Sequence, residues 1–301
     1  MIFGVDVGGT TIKIGVVENN KIIDKFEIPT KKDSFIKDTC LFLKDYMTEH
    51  KSNSLEGIGF GLPGNVIKNY IYNLPNIGVQ NIDLEKEVKK YFPNTLILAQ
   101  NDANVAALGE MLYHKEYNNA CMITLGTGVG GGIVLDGKVL EGTHGAAGEI
   151  GHMLIAEDYN FSCSCGLKGC LETVASATGV VRLANYHYKD FKTSLPEKFS
   201  AKDVFDFAKK DDPLALFVVN KVGYYIAKCI SILSITVDVE VFYIGGGVSK
   251  AGDFLIDIIR RHYQDLAHYA VKKVHIEAAS LLNDAGMLGS AGLIMQRKKN
   301  E

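Results

Sequence analysis

The sequence predicts an α/β protein of two domains, in which the second half repeats the order of strands and turns of the first. The chain has 301 residues, which at about 100–200 residues per domain suggests about two domains. Apolar strand-like segments alternate with amphipathic helical segments, a pattern typical of α/β folds. A strand, a glycine turn, a strand, a second turn and a third strand open the chain, and the same series starts again near residue 120.

The first half begins with a meander of three strands. Segment 2–7 is β-rich, Ile12, Ile14 and Val16 alternate with polar or small residues in the second strand, and Asn19-Asn20 makes the next turn. Segment 33–49 has apolar residues at helical spacing. The predicted strands of this half are 2–7, 11–17, 21–29, 57–61 and 96–99, and the predicted helices are 33–49, 83–92 and 103–112.

The second half repeats the meander and then becomes mainly helical. Asp136-Gly137 is a hairpin signal between two short strands. The apolar segment 222–239 is interrupted by Lys228 and by serines, so we expect a buried helix rather than a membrane span. The predicted strands are 121–125, 131–135, 138–140, 241–244 and 274–278, and the predicted helices are 174–188, 201–210, 213–235, 254–267 and 285–296.

Composition excludes several classes of protein. A net charge of −3 with 22% charged and 47% hydrophobic residues argues against extensive disorder, a nucleic-acid-binding surface and a polybasic membrane patch. The N-terminus has no basic region and carries Asp6, so it is not a signal peptide, and we expect a cytoplasmic protein with no nucleic-acid or membrane partner. In such a protein six cysteines do not indicate a disulfide framework, and Cys40, Cys121 and Cys229 are expected to be small buried hydrophobes.

Three glycine turns, each at the end of a strand, predict a phosphate-binding site. In the first, backbone N–H groups and the Thr10 and Thr11 hydroxyls can donate to phosphate oxygens, and Asp6 is placed to hold Mg²⁺. The second, 126–131, has the form G-x-G-x-x-G, but a strand follows it, which argues against a dinucleotide fold. The third is Gly245-Gly246-Gly247. Any one of them alone is equally consistent with a glycine turn that binds nothing.

Two further groups suggest chemistry. Asn101-Asp102 follows a strand and opens a helix, so the Asp102 carboxylate is either a general base or the N-cap of that helix, and the residues alone leave both open. Cys163, Cys165 and Cys170, with His152 upstream, form a Cys₃His set suited to a closed structural zinc site. Buried or reactive thiols remain the alternative.

Taken together, five motifs resemble the ROK family of sugar kinases and sugar-responsive repressors, and within it the chain looks like the bacterial ATP-dependent glucokinases. The motifs are Asp6-Val-Gly-Gly-Thr-Thr, Leu125-Gly-Thr-Gly-Val-Gly-Gly, Gly148-Glu149-Ile150-Gly151-His152, Cys163-Ser-Cys165-Gly-Leu-Lys-Gly-Cys170-Leu-Glu172 and Ile244-Gly-Gly-Gly. The resemblance implies an actin-like, hexokinase-type (ribonuclease H-like) fold of two α/β domains with a central cleft and a structural zinc loop. The expected domains are 1–118, with helix 285–301 packing back on it, and 119–284, which contains the zinc loop 152–172.

The resemblance also implies an activity: ATP-dependent phosphorylation of a hexose, most simply glucose, at its 6-hydroxyl. The implied cofactors are ATP, Mg²⁺ and a structural Zn²⁺, and the implied assembly is a homodimer or homotetramer. N-acetylmannosamine, fructose or another hexose is the alternative substrate, because Asn76-Ile77-Gly78-Val79 departs from the Asn-x-Gly-Trp usual in glucokinases. A non-catalytic sugar-binding regulator is the second alternative; since the first strand begins at residue 2, we expect no DNA-reading extension.

Site roles carried over from the family cover four groups of residues. The catalytic base would be Asp102. The sugar would contact Gly64, Asn65, Asn76, Asn101, Asp102, Glu149, His152 and Glu172. The nucleotide would contact Asp6, Gly8, Gly9, Thr10, Thr11, Lys13, Gly126, Thr127, Gly128, Gly245, Gly246 and Gly247. Zinc would be held by His152, Cys163, Cys165 and Cys170, with the second ring nitrogen of His152 facing the sugar.

Overall fold

The computed structural model describes residues 1–51 and 54–299, without the side chains of Lys250 and Lys299. The strands of this part of the chain are β1 (Ile2–Val7), β2 (Thr11–Glu18), β3 (Lys21–Pro29), β4 (Gly57–Leu62), β5 (Asn65–Ile67), β6 (Tyr70–Leu74), β7 (Val79–Asp83), β8 (Ile97–Asn101), β9 (Ala120–Leu125), β10 (Val129–Leu135), β11 (Lys138–Val139), β12 (Val241–Gly245) and β13 (His275–Ala278). The α-helices are α1 (Phe35–Glu49), α2 (Leu84–Lys89), α3 (Asp102–His114), α4 (Glu172–Ala175), α5 (Ala177–Tyr186), α6 (Ala201–Ala208), α7 (Pro213–Val237), α8 (Asp253–Leu266) and α9 (Ala285–Lys299).

Two five-stranded sheets have the same strand order. One runs β3-β2-β1-β4-β8 and the other β11-β10-β9-β12-β13, so in each the first strand of a meander lies between its second strand and two later strands. In the first sheet β1 and β2 are antiparallel, whereas β1, β4 and β8 are parallel. In the second, β9, β12 and β13 are parallel. The repeated meander predicted from the sequence is therefore confirmed, and with it the α/β fold class.

Contacts within the chain divide it into two units. Unit 1 contains Met1–Asn118, Gly132–Gly148 and Leu281–Glu301, and unit 2 contains Asn119–Gly131 and Glu149–Ser280. The sequence prediction placed 132–148 and 281–284 in the second domain, whereas the contacts place both segments in unit 1. The chain around Gly137 bonds within unit 1, because Gly137 N–H donates to Asn118 O at 2.8 Å and the Gln296 amide donates to Gly137 O. Residues 300–301 of the predicted last helix lie outside the described part.

Unit 1 buries apolar side chains on both faces of its first sheet. One face forms a core with Phe35 and Leu43 of α1. The other face is covered by α9, whose Leu288, Ala291 and Ile294 pack on Ile2 and Val17. The Ser290 hydroxyl donates to the Val5 carbonyl at 3.2 Å, which ties α9 to the strand that ends at the first glycine turn.

A three-stranded sheet, β5-β6-β7, was not predicted from the sequence. Its first hairpin turns at Lys68 and Asn69, which both have positive φ, 49° and 64°. Turns with two positive φ values match the twist of a hairpin, and Asn adopts them more readily than most residues. Without a glycine at the turn, the hairpin signal in the sequence is weak.

Asn69 also closes the free edge of β8. Its side-chain amide donates to Ile97 O at 2.9 Å and accepts from Ala99 N–H at 2.8 Å, in the way a neighbouring strand would. The same amide nitrogen donates to Glu85 of α2 at 3.0 Å. Asn69 therefore replaces part of a missing strand partner for β8.

Asn69→Ala is expected to lower the free energy of unfolding by about 1–3 kcal/mol, because two backbone groups of β8 lose their partner. Urea denaturation followed by circular dichroism measures the change. Asn73→Ala is the control, since Asn73 lies in the same small sheet with an exposed side chain, and we expect its effect to stay within about 0.5 kcal/mol. Equal effects of the two variants would contradict the role given to Asn69.

Unit 2 is organised around α7. By length and composition this helix could span a membrane, but 56% of its most apolar window is buried inside the protein, as predicted for a core helix. Its Tyr225 is fully buried and donates a hydrogen bond to Asp158 at 2.7 Å. The predicted helix 174–188 is divided at Ser176, whose hydroxyl caps α5 by accepting from Gly179 N–H.

Cys40, Cys121 and Cys229 are buried free thiols, as predicted. Burial raises the pKa of Cys40 and of Cys229 to about 12. A thiol that stays protonated in an apolar core is a packing group and not a nucleophile.

Candidate functional site

The four predicted zinc ligands converge in unit 2. One ligand atom from each of His152, Cys163, Cys165 and Cys170 lies within 4.8 Å of all the others. Cys163 Sγ is 3.5 Å from His152 Nδ1, and Cys165 Sγ is 3.7 Å from Cys170 Sγ. In a tetrahedral zinc site these edges measure about 3.5 Å between S and N and about 3.8 Å between two S atoms. The donor set and its spacing fit a closed structural zinc ion.

Short-range backbone contacts shape the loop that carries these ligands. Leu154 bridges to Cys170 and Ser162 bridges to Lys168, so the segment folds back on itself twice. Hydrogen bonding from the Leu167 backbone is the main cause of the lowered pKa of the Cys165 thiol, whereas burial raises the pKa of Cys170 to about 12. A thiolate that accepts a backbone N–H is a typical metal ligand.

The two ring nitrogens of His152 have different neighbours. Nδ1 faces Cys163, while Nε2 lies 3.9 Å from the Glu149 carboxylate. A carboxylate that accepts the outer N–H of a metal-bound histidine fixes its tautomer and ring plane, whereas at 3.9 Å Glu149 is a neighbour and not a hydrogen-bond partner. Nε2 is the nitrogen that was expected to face a sugar hydroxyl. It lies near Glu149, which is also predicted to contact the sugar.

Glu172 connects the zinc loop to the second glycine turn. One carboxylate oxygen accepts from Val129 N–H at 3.0 Å, and the other accepts from the Ser164 hydroxyl at 3.4 Å. A Cβ on Gly128 would stand 2.3 Å from the first of these oxygens. A side chain at Gly128 would therefore force the Glu172 carboxylate to move, independently of any phosphate.

The second and third glycine turns both lie in unit 2. Gly126 O accepts from Ala177 N–H at 2.8 Å, and Thr127 O accepts from the Thr178 hydroxyl at 3.2 Å, so the turn is fixed to the start of α5. Gly246 has φ +87°, and a Cβ there would stand 2.6 Å from Leu125 O. Gly247 has no atom within 4 Å of its Cβ position.

The first glycine turn lies in unit 1 with Asn76. Gly8 N–H donates to Thr11 O at 2.9 Å, and Asn76 O is 3.5 Å from the point where a Cβ on Gly9 would stand. Asp6 is opposite Lys13 in the ladder of β1 and β2. Burial raises the pKa of Asp6, and Lys13 counteracts part of that effect. A half-buried carboxylate of this kind is stabilised by a cation, which fits a magnesium site.

Asn101, not Asp102, is the N-cap of α3. Its side-chain oxygen accepts from Ala103 N–H at 2.9 Å and from Asn104 N–H at 3.3 Å, and its amide nitrogen donates to Gly64 O at 3.2 Å. Asp102 is the first residue of the helix and also accepts from Ala103 N–H, at 2.9 Å. The alternative of Asp102 as the cap is wrong. Asn65, in contrast, begins β5 with an exposed side chain.

One family model covers the residues of all these features. The model of the ROK family matches residues 2–297, nearly the whole chain.

The chain belongs to the ROK family.

Three proteins are similar to this ROK chain in sequence or in structure. A glucokinase from Halalkalibacterium halodurans is 40% identical, over 99% of the chain and 96% of the relative. A ROK hexokinase from Thermus thermophilus has a structure that aligns with a TM-score of 0.87 at 28% identity, covering 100% of this chain and 99% of that one. A ROK family glucokinase from Streptomyces griseus, solved with glucose and AMPPNP, aligns with a TM-score of 0.76 at 28% identity, covering 98% and 99%.

In this ROK protein a largely apolar cavity of about 370 Å³ adjoins the third glycine turn, and the sequence did not predict it. Its lining includes Phe205 of α6, Lys209 directly after α6, Ala177 of α5, and Gly247 and Val248 after β12. These residues lie up to 71 positions apart, between 177 and 248, and no motif joins them. Only the packing of α6 beside the turn reveals the cavity.

Gly246→Ala is expected to destabilise unit 2 by about 1 kcal/mol or more, because an alanine at this positive φ is strained and its Cβ would meet Leu125 O. Differential scanning fluorimetry measures the loss. Gly247→Ala is the matched control: φ is −64° and the position is open, so its melting temperature should equal that of the wild type. If both variants melted alike, the strain assigned to Gly246 would be wrong.

Proposed function

We propose that the protein transfers the γ-phosphoryl group of ATP to the 6-hydroxyl of glucose. The observation that carries this proposal is the end of β8, where Asn101 caps α3 and Asp102 stands in the first helical turn. That arrangement presents a carboxylate where the sheet ends, in a chain 40% identical to a glucokinase over nearly its full length. The structural neighbour solved with glucose and AMPPNP supports the same pair of ligands.

In the proposed reaction Asp102 accepts the proton of the sugar 6-hydroxyl. The sugar oxygen forms a bond to the γ-phosphorus, the bond from that phosphorus to the bridging oxygen breaks, and ADP leaves. Positioning and neutralisation of charge contribute most of the acceleration in such transfers. When bound with the nucleotide, Mg²⁺ supplies part of that neutralisation, and Asp6 is the carboxylate that would hold it.

Each unit supplies residues for the proposed ligands. In unit 1 these are Asn101 and Asp102 with Gly64, Asn65 and Asn76 for the sugar, and Asp6, Gly8, Gly9, Thr10, Thr11 and Lys13 for the nucleotide. In unit 2 they are Glu149, His152 and Glu172 for the sugar, and the turns at 126–128 and 245–247 for the nucleotide. The apolar cavity beside Gly247 is suited to the base of ATP, because a flat, weakly polar ring needs an apolar wall.

The zinc group has a supporting role in this proposal. When bound, zinc fixes His152 and the three cysteine-bearing turns in one geometry. His152 then holds its outer nitrogen beside Glu149, and the loop places Glu172 against Val129. Four protein ligands leave no open position on the metal, so its role is structural.

An ADP-release assay over a panel of sugars tests the proposal. We expect glucose to give the highest kcat/KM and N-acetylmannosamine and fructose to give lower values. Fastest turnover of N-acetylmannosamine or fructose would replace glucose by the other hexose within the same mechanism. No ADP release with any sugar, together with measurable sugar binding, would favour a non-catalytic binder.

We also propose a cytoplasmic homodimer or homotetramer, as the family resemblance implies. The burial of α7 supports a location away from the membrane. Light scattering after gel filtration gives the assembly size.

A further inference from the structure

The end of β8 turns a row of backbone polar groups to the open side of its sheet. β8 is the edge strand next to β4, and in a parallel strand the backbone groups of every second residue point the same way. Ile97 O and Ala99 N–H point to the open side, where Asn69 bonds to both. Asn101 follows two residues later, so its N–H points to the same side and needs an acceptor there.

The side chain of Gln100 supplies that acceptor. Gln100 is 3% exposed, and its Oε1 accepts from Asn101 N–H at 3.0 Å. A backbone N–H only donates, so the atom that faces it is the oxygen of the amide and not the nitrogen. Gln100 Nε2 has no hydrogen-bond partner within residues 1–51 and 54–299. In this part of the chain the hydrogen bonds of the buried amide therefore all go to its oxygen.

Asn104, in the first turn of α3, links Gln100 to Asn101. It is 2% exposed, and its amide nitrogen donates to Gln100 Oε1 at 3.3 Å. Its backbone N–H donates to Asn101 Oδ1, also at 3.3 Å. Gln100, Asn101 and Asn104 therefore form a closed set of hydrogen bonds at the junction of β8 and α3. Asp102 lies within the stretch of chain that this set closes.

Close packing leaves the junction little room. A Cβ on Gly132 of β10 would stand 2.4 Å from Ala103 O, and a Cβ on Gly61 of β4 would stand 2.6 Å from Val105 Cγ2. Both strands therefore lie directly against the start of α3. Because a shift of the helix towards either strand is opposed by these contacts, the hydrogen bonds of Asn101 set the direction in which the chain enters α3.

We propose that Gln100 and Asn104 are positioning residues for Asp102. Gln100 acts through Asn101 N–H, and Asn104 acts through Gln100 Oε1 and Asn101 Oδ1. Neither is among the residues proposed to contact the sugar. The inference rests on the proposed function, because it takes Asp102 as the base. A misplacement of about 1 Å costs about 10²-fold in rate, so the loss of these buried bonds should lower kcat.

Two substitutions of Gln100 test the proposal. Gln100→Met is similar in size but leaves Asn101 N–H without an acceptor, and we expect kcat to fall about tenfold or more, since Asp102 is then held less well in place. Gln100→Glu keeps an oxygen at the same position and should keep kcat near that of the wild type. Both should melt below the wild type, because one leaves an N–H without an acceptor and the other buries an acidic group. Steady-state kinetics at saturating ATP and scanning fluorimetry measure the two quantities.

Asn104→Leu completes a double-mutant cycle. It removes the donor to Gln100 Oε1 but keeps the backbone N–H that bonds to Asn101, so kcat should fall less than in Gln100→Met. Because the Asn104 side chain acts through the Gln100 oxygen, the double variant should lower kcat no further than Gln100→Met alone. Thr39→Val is the control: Thr39 is fully buried in α1, its hydroxyl has no hydrogen-bond partner in the described part of the chain, and kcat should stay at the wild-type value.

The values of kcat decide the outcome. The proposal is overturned if Gln100→Met keeps the kcat of a wild type that turns over a sugar, a result that leaves the proposed function intact. It is also overturned if Gln100→Glu loses as much kcat as Gln100→Met, or if the two losses multiply in the double variant, since a general loss of structure would give these results. No turnover of any sugar by the wild type would overturn the proposed function and the positioning role with it. If a Gln100 variant does not fold, the kcat of Asn104→Leu against that of Thr39→Val decides, and equal values would overturn the proposal.

Discussion

Asp102→Asn is expected to bind glucose with near wild-type affinity and to lose most of its turnover. The amide has nearly the same shape as the carboxylate and can still accept from Ala103 N–H, but it cannot take the proton of the 6-hydroxyl. General-base catalysis contributes about 10²–10⁴-fold, and kcat should fall by that factor. Steady-state kinetics with saturating ATP, together with glucose titration, measures both quantities.

A second charge-removing variant controls for net charge. Asp45→Asn removes one negative charge from an exposed position on α1, and we expect its kcat to equal that of the wild type. The structure assigns the cap of α3 to Asn101, so the cap can be tested separately from the proposed base. Asn101→Ala should lower stability by about 1 kcal/mol through the lost cap, because Asn101 bonds to two helical N–H groups. A near wild-type kcat for Asp102→Asn would remove Asp102 from the role of base.

Cys170→Ser is expected to lower zinc content, melting temperature and glucose affinity together. Structural zinc sites have apparent binding free energies of about 10–16 kcal/mol in small peptides, so losing a buried thiolate ligand should release most of the metal. The loop then loses the geometry that places His152 beside Glu149 and Glu172 against Val129. Elemental analysis, scanning fluorimetry and glucose titration measure the three effects.

A distant buried cysteine provides the comparison for this variant. Cys40→Ala removes a fully buried thiol from the core of unit 1, and it should lower stability through lost packing while zinc content stays at one equivalent. The coupling of metal to sugar has a direct check. A zinc-free protein, verified by elemental analysis, that kept full glucose affinity would show that glucose binding does not depend on the metal.

The zinc group was predictable because its geometry is mostly local. Three of the four ligands lie within eight residues, 163–170, and the turns between them leave few ways to place the sulfurs. His152 lies eleven residues upstream of Cys163 and was named as the fourth ligand, and the bridge between Leu154 and Cys170 brings it back to the loop. A limit does appear at β8, where the residues alone left Asp102 open between a general base and the N-cap of α3. In the structure Asn101 is the cap, because its side-chain oxygen accepts from the N–H groups of Ala103 and Asn104.

The features that escaped prediction depend on contacts between distant segments. The β5–β6 hairpin turns at residues without glycine, and the edge of β8 is closed by Asn69 of that hairpin. The cavity beside Gly247 needs α6 to pack next to the turn after β12. The boundary at 132–148 has the same origin, since hydrogen bonds around Gly137 join this segment to unit 1. None of these contacts leaves a periodic or short-range signal in the chain.

By itself the sequence determined the α/β class, the duplicated meander, the positions of three glycine turns and the composition of the Cys₃His group. Each of these features depends on a local pattern, because side-chain alternation, turn residues and close ligand spacing act over a few positions of the chain. The tertiary structure alone decided which residue caps α3, how Glu172 joins the zinc loop to a glycine turn, and where the cavity beside Gly247 lies. Those outcomes depend on backbone approach and hydrogen-bond geometry between segments far apart in sequence, which no local pattern encodes.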